Sequence, residues 1–404
     1  TVNGLSRLDR PYTADGDLRP FGGTDHRRFY SAPGNIVGFV GGAYVTQFAV
    51  RPNASGMAQG PADFAAGTEN LEANSLGADL LPNLERHSAY GRFSQSLGDR
   101  FEITGDVRYS RRDHDVATAA SGGIFSVTNA NPWFVSPTGA ASHTIAYSFA
   151  RDLGPGRSRG GSESLGVTLG GRFDLTPTWS VEAYVAGAEE HGDFGNSNRI
   201  NSRFLAEALG NIPDDPATPY RAAVDGYYNL FGDGSANSRA VLDFIGSGWS
   251  RVRNQSRATS ANILAQGPIL RLPGGEVSVA IGAQFRKESF ETQGETAISG
   301  VTPILRLTPR RQRSIAAAFI EARIPLVGAD NARPGVRSLD LSIAGRFEDY
   351  DDFGTTTNPK VGLVWSPIEN LGVRASWGTS FRAGALPQLF DPMGVSPLFL
   401  SGEN

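Results

Sequence analysis

The sequence predicts an all-β protein, an antiparallel transmembrane β-barrel, and three observations predict it. Apolar and polar residues alternate with period two along most of the chain. The alternating runs are about 10 to 17 residues long, where a membrane-crossing strand needs roughly 9–11 and soluble strands centre near 5–6. Short joins and long polar connections take turns between the runs, the layout of a barrel with tight turns on one rim and long loops on the other.

The first strand is expected near 35–50 and the last near 371–381, and counting against the joins gives about eleven strands. Phe101, Ile103, Gly105, Val107 and Tyr109 fall on one side of a strand, with Glu102, Thr104, Asp106 and Arg108 on the other. Successive strand side chains point to opposite faces, so such a segment has one apolar and one polar wall. The same alternation places Leu165, Val167, Leu169 and Phe173 opposite Thr168, Arg172 and Asp174, then Trp179, Val181, Ala183 and Val185 opposite Ser180, Glu182 and Tyr184. It continues with Val277, Val279, Ile281 and Phe285 opposite Ser278, Gln284 and Arg286. In the next run Ala318, Ile320, Ala322 and Ile324 oppose Glu321 and Arg323, with Phe319 as an exception. Leu339, Leu341, Ile343 and Phe347 oppose Asp340, Ser342, Arg346 and Glu348; Val361, Leu363 and Trp365 turn into Leu371, Val373, Ala375 and Trp377, which oppose Arg374 and Ser376. Tight joins are expected at Gly98-Asp99, Thr176-Pro177, Pro273-Gly274-Gly275, 327–336 and 367–370, and long connections at 51–84, 113–161, 192–248, 293–309 and 351–357. Tyr109, Phe173, Trp179, Trp365 and Trp377 lie near strand ends, where interfacial girdles sit. Inside the long connections, 198–209 carries Ile200, Phe204, Leu205 and Leu209 at helix-like spacing, and 237–245 carries Ala240, Val241 and Phe244. Each admits one or two helical turns, with plain coil as the alternative.

Composition narrows the function. Charged residues make up 19% and apolar ones 39%, both low for a soluble α/β enzyme of 404 residues. The 50 glycines follow no triplet and suit turns and crowded strands. With no cysteine, a disulfide scaffold, a thiolate metal site and a cysteine nucleophile are excluded. A net charge of −4 argues against a nucleic-acid partner. No run of 18 apolar residues offers a transmembrane helix, and Thr1 to Arg10 lack a signal-peptide core, so Thr1 is read as a processed start or an internal cut.

Bond chemistry has no evident seat. The five histidines, His26, His87, His114, His143 and His191, form no ligand pair. There is no Gly-x-Ser-x-Gly elbow, phosphate loop or dinucleotide fingerprint. Glu189-Glu190 and Asp351-Asp352 read as solvated charges rather than an acid–base pair, and Asp349, Asp351 and Asp352 lack the spacing of an EF-hand. No catalytic residue, metal site or cofactor is expected.

Residues 313–389 carry a more specific pattern. An acidic strand end (Glu348-Asp349-Tyr350) leads to Phe353-Gly354, then Asn358-Pro359-Lys360-Val361-Gly362. A Trp365-x-Pro367 turn follows, then Arg374-Ala375-Ser376 and Ser380-Phe381-Arg382. In order and spacing this resembles the mid-barrel region of TonB-dependent receptors, and 227–245 is similar to a loop of one large subgroup. The resemblance implies a barrel of about 22 strands around an N-terminal plug. It also implies active uptake of a scarce nutrient across the bacterial outer membrane, energised by the TonB protein of the inner membrane. Against that pattern the chain shows no plug-like segment, no coupling box near Thr1 and no closing strands. Residues 1–404 are therefore read as one partial barrel domain missing sequence at both ends. Such an open sheet is expected not to insert stably alone, because unpaired backbone groups cost several kcal/mol each in lipid.

For an importer, aromatic and polar groups on long loops catch the cargo. Trp133, Phe134, Tyr227, Tyr228 and Phe231 are the loop candidates, against loop packing or a girdle role. Arg346, Arg374 and Arg382 are the lumen candidates, to steer an anionic ligand or contact the plug, against simple pairing with carboxylates such as Glu348. The cargo is open among siderophore-like compounds, a cobalamin-like cofactor and oligosaccharides. A passive porin or autotransporter barrel and a β-rich surface adhesin or glycan-binding protein are the competing readings.

Overall fold

A computed structural model describes residues 17–390, apart from 18, 24, 53, 54, 74 and 76. The readings made on residues 1–10 lie outside the described residues. The described residues build two antiparallel sheets. The larger is a ten-stranded wall made of β4 (Asn83–Leu97), β5 (Phe101–Thr118), β8 (Gly156–Asp174), β9 (Ser180–Arg199), β10 (Gly248–Leu272), β11 (Gly275–Ala297), β12 (Ile304–Val327), β13 (Ser338–Tyr350), β14 (Gly354–Ile368) and β15 (Leu371–Gly378). Each wall strand pairs with the next one along the chain, the meander of an up-and-down barrel. No helix among the described residues is long and apolar enough to cross a membrane.

The smaller sheet was not foreseen. Its order is β3-β2-β1-β7-β6, from β1 (Asn35–Val40), β2 (Ala43–Val50), β3 (Phe64–Ala66), β6 (Gly122–Thr128) and β7 (Ser142–Ser148). Residues 35–50 are thus a hairpin of this sheet, and the wall begins at Asn83, with ten strands rather than about eleven. The cause is local. Gly41 and Gly42 both take positive φ, +60° and +84°, and make the two-residue turn that suits twisted strands, splitting one apparent long run into two short ones. Residues 113–161 likewise hold β6 and β7, a detour between β5 and β8.

Strand pairing explains why the alternation matters. Across the wall, Val107 faces Val167, Leu169 faces Val185, Val185 faces Ala261 and Ala261 faces Phe285. Further on, Ile281 faces Ile320, Ala318 faces Phe347, Ile343 faces Val361, and Val361 faces Trp377. One face therefore carries an unbroken apolar belt from β5 to β15. Leu169, Ile281 and Ile320 are 51–53% exposed, so among the described residues no protein layer covers the belt, and lipid is its natural solvent. The opposite face is polar: Arg172 reaches Glu182 at 3.0 Å, and Arg323 reaches Asp340 at 2.9 Å. The one misfit of the alternation, Phe319, lies on that polar face under the guanidinium of Arg346, 5.7 Å from the ring centre, a cation–π contact that makes an aromatic residue acceptable there.

Strands β10 to β12 have 25, 23 and 24 residues, more than a bilayer needs, and project beyond it on the rim of the long connections. The short joins 98–100, 175–179, 273–274, 328–337 and 369–370 lie on the other rim.

Candidate functional site

The buried core of the molecule is in the loops. Ile36, Val50, Val127, Ile145, Tyr147, Phe149, Leu205, Leu209, Tyr228, Phe231, Val241 and Ile245 form one cluster. They come from the small sheet, from Phe149 just after it, and from the 200–247 connection, which contains α1 (Ser202–Ala208), α2 (Ala222–Asp225) and α3 (Arg239–Ile245). The two helical readings within 198–209 and 237–245 correspond to α1 and α3. Each starts at a polar cap: the Asn201 side chain accepts from the Phe204 amide, and Ser238 accepts from the Val241 amide. The small sheet and these helices make a cap over the long-connection rim. It is tied to the wall where Ala117 donates its amide to Asp79, Asn198 donates to the carbonyls of Leu153 and Pro155, and Ser202 donates its amide to the Ile298 carbonyl.

All five aromatic candidates meet in this cap. The Trp133 indole donates to the Tyr227 carbonyl at 3.0 Å, and Phe134 packs edge-on against Phe231 with centroids 5.7 Å apart. Tyr228 packs against Tyr147 and Phe149. Tyr228 and Phe231 are 0% and 1% exposed, so they hold the cap together from inside, while Trp133, Phe134 and Tyr227 are half-buried and reach its surface. Asn131 is the strap between them: its amide nitrogen donates to the carbonyls of Leu209 and Tyr228.

Beneath the aromatics is a polar knot that the sequence did not reveal. Asp152 Oδ2 accepts from the Tyr147 hydroxyl at 2.8 Å and the Tyr228 hydroxyl at 2.7 Å, and Oδ1 accepts from Asn237 at 3.3 Å. Burial pushes the Asp152 carboxyl above its usual range and both phenols well above theirs. Nearby, buried Glu72 takes the Ala32 amide on one oxygen and Arg151 on the other. These partners are separated by up to 85 residues in the chain, so no local motif marks them.

The arginine candidates belong to a second group, on the polar face. Arg346 donates to Glu348 and to Gln284, each at 2.8 Å. Arg374 lies on the polar face of β15 opposite Val364, and Arg382 follows β15; both are exposed and form no ion pair among the described residues. Sequence reasoning missed Arg313. It is 4% exposed, pairs with Glu288 at 3.0 Å and Asp352 at 3.5 Å, lies over the Tyr350 ring, and donates to the Gly384 carbonyl at 3.0 Å. It thereby fastens the segment after β15 onto the polar face, helped by Phe381 against Phe353 and Tyr350 and by α4 (Leu386–Phe390) against β12. Among the described residues, no hydrogen bond, ion pair or ring contact joins the cap aromatics to the three candidate arginines. The adjacent carboxylates are separately engaged: Asp351 accepts the Ser314 amide, and Glu189 pairs with Arg257.

The sequence pattern of a family described as TonB dependent receptor-like, β-barrel, matches residues 139–404. The chain belongs to that family. Its wall is therefore part of an outer-membrane β-barrel, which accounts for the lipid belt, the polar interior and the opposed rims. No curated protein matches the chain. Among solved structures it is similar to the RagAB peptide importer in its 'open-open' state, at 9% identity and a TM-score of 0.41, over 70% of this chain and 30% of that one. A structure of the RagAB peptide transporter matches at 11% identity and a TM-score of 0.42, over 74% and 33%. The translocator domain of the autotransporter NalP from Neisseria meningitidis matches at 11% identity and a TM-score of 0.25, over 76% and 87%. The chain spans about a third of the length of the RagAB chains.

Proposed function

We propose that this wall and its cap are part of a receptor that imports a scarce nutrient across the outer membrane, driven by the TonB protein of the inner membrane. One observation carries the reading: a wall apolar toward lipid and polar inside, roofed on the long-loop rim by a single packed cap. A passive channel has little use for a roof with its own core. The cap is rooted at β5 to β10, whereas β13 and β14 are joined by only three residues, 351–353, and there the segment after β15 lies against the wall instead. In this reading Trp133, Phe134 and Tyr227 catch the cargo, and Tyr228 and Phe231 hold them in place. Arg374 and Arg382 attract an anionic cargo, or receive a plug, while Arg346 shapes the wall. Siderophore-like compounds, a cofactor and oligosaccharides stay within the reading.

The test uses the full-length protein in a planar lipid bilayer and in cells with and without TonB. A plugged receptor shows no steady ion conductance, and its uptake stops when TonB is removed. A stable open pore that conducts without TonB overturns the reading in favour of a passive barrel. For an anionic cargo, Arg374→Glu with Arg382→Glu lowers apparent affinity about tenfold or more.

A further inference from the structure

The last wall strand stops short of its neighbour. Strand β14 runs from Gly354 to Ile368, but β15 pairs with it only between Ile368 and Lys360, which faces Gly378. The edge of Gly354–Asn358 on that side therefore has no strand partner among the described residues. The chain leaves the sheet after Gly378, although the alternation that predicts a last strand to 381 does not stop there. Beyond Trp377 the outward positions are Thr379, Phe381 and Ala383, and the inward ones are Ser380 and Arg382. Continuing the register of Trp377 with Val361 and Gly378 with Lys360 would set Phe381 opposite Thr357, Arg382 opposite Thr356, and Gly384 opposite Gly354, the first residue of β14. Residues 379–384 thus read as strand in the sequence, yet they are folded over the polar face as a strap.

Both ends of the strap already lie beside β14. The Thr379 amide donates to the Pro359 carbonyl at 3.1 Å, which is the next rung of the ladder. The Gly384 carbonyl accepts from Arg313 Nη1 at 3.0 Å, and the same nitrogen is 3.5 Å from Asp352, two residues before Gly354. Between these points the chain is drawn inward by Phe381, whose ring centre is 5.2 Å from that of Phe353 and 6.1 Å from that of Tyr350. Tyr350 lies under Arg313, which is 4% exposed and also paired with Glu288. The inward seat therefore trades backbone rungs for one buried cation and a cluster of rings. An unpaired strand edge is a template for further pairing, and with both ends in place only 380–383 have to move to use it. Zipped, Phe381 would join the outward row beyond Trp377, where aromatic girdles sit, and Arg382 would join the interior row of Arg374.

We propose that residues 379–384 have two seats: the inward one, latched by Arg313 and the rings of Tyr350, Phe353 and Phe381, and a second in which they zip onto Gly354–Pro359 as the outer part of β15. The exchange clears Phe381 from the polar face and brings Arg382 into line with Arg374, so it gates the interior on the side that the cap does not roof. It does not depend on what the protein imports. The test is disulfide trapping in full-length protein carrying no other cysteine; residues 1–404 contain none. Thr355→Cys with Ala383→Cys is a directly opposed pair in the zipped register, with α-carbons about 5.5 Å apart and within disulfide reach. Thr357→Cys with Ala383→Cys is two residues out of register and beyond that reach. The trapping rate follows the population of the zipped seat. Removing the latch by Arg313→Gln, or the ring contact by Phe381→Ala, should speed oxidation of the first pair about tenfold or more and leave the second slow. Equal acceleration of both pairs means a strap that is only loosened, and no acceleration of either means that Arg313 and Phe381 do not hold it; each result overturns the proposal. Heat-modifiable migration on a gel reports whether each variant is folded. Phe381 is 45% exposed, so its variant carries the test if Arg313→Gln does not fold.

Discussion

Replacing Asp152 tests whether the cap is a single body held by its buried knot. In Asp152→Ala the hydroxyls of Tyr147 and Tyr228, both in rings that are 0% exposed, lose their common acceptor. A buried donor left unsatisfied costs about 1–3 kcal/mol, so two cost about 2–6 kcal/mol. Removing a carboxylate that burial already penalises returns part of this, leaving a net loss of about 2–3 kcal/mol. Asp152→Asn behaves differently. Its amide oxygen still accepts from both tyrosines, but its amide nitrogen faces that of Asn237. Asn237 cannot turn over without losing the bond its oxygen takes from the Asn229 amide at 2.8 Å. That variant loses about 1 kcal/mol or less. Hydrogen exchange of residues 142–149 and 227–231, corrected for intrinsic rates, reads the local opening. Protection should fall about 30- to 150-fold in the alanine variant and about fivefold or less in the asparagine variant. pH supplies the sign. The folded-state pKa of Asp152 is raised, so from about 3.8 upward the unfolded cap loses this proton before the folded cap does. Cap stability from this group therefore falls as pH rises from there through the folded value, then levels off. Asp152→Asn should remove that slope. Equal loss in both variants, or none in either, would refute the account of the knot.

Three further outcomes follow from the same structure. Ile281→Arg places a charge on the lipid belt and should cost about 2–4 kcal/mol of folding stability in vesicles, while Ala280→Arg, one residue away on the polar face, should cost far less; similar urea midpoints for the two would mean the faces are assigned wrongly. Arg313→Ala leaves Glu288 and Asp352 without their shared cation and frees the segment after β15, at about 3–5 kcal/mol, so trypsin should cut after Arg382 markedly faster than in wild type; an unchanged cleavage rate would sink this. His143, stacked on Phe134, has its pKa lowered by burial, so protonation opposes the folded cap and stability is lost as pH falls below about 6.5. Trp133 fluorescence should shift on acidification in wild type but not in His143→Phe; a shift that survives the substitution points elsewhere.

The wall was legible because its physics is local. A strand between lipid and a polar interior must alternate at every step, and Leu165-Gly166-Val167-Thr168-Leu169 shows the rule directly. The cap was not legible because its sheet joins 35–66 to 122–148 and its helices come from 202–245. Such strands are short, and both faces are partly enclosed, so Asn35-Ile36-Val37 is buried throughout and carries no alternation to read. The site divided in the same way. Aromatic residues on polar loops stand out by composition, and that led to Trp133, Phe134, Tyr227, Tyr228 and Phe231. Composition does not say which of them face inward, and Asp152 and Arg313 look like ordinary loop and strand charges until their partners are brought to them.

That difference bears on how such a receptor can change its cargo. In the wall each side chain answers to lipid or to the interior, and its neighbours are fixed by register. Arg346 shows the constraint: it is bonded to Glu348 and Gln284 and covers Phe319, so its charge is already matched and its removal disturbs three strands, β11, β12 and β13. In the cap the core is supplied by Tyr147, Phe149, Tyr228 and Phe231, and half-buried Phe134 and Tyr227 pack against it from outside. Surface substitutions there cost little folding energy. A fold arranged this way leaves specificity to the outward edges of the cap and to Arg374 and Arg382, which form no ion pair among the described residues, because a new side chain there replaces fewer structural partners than at Arg346.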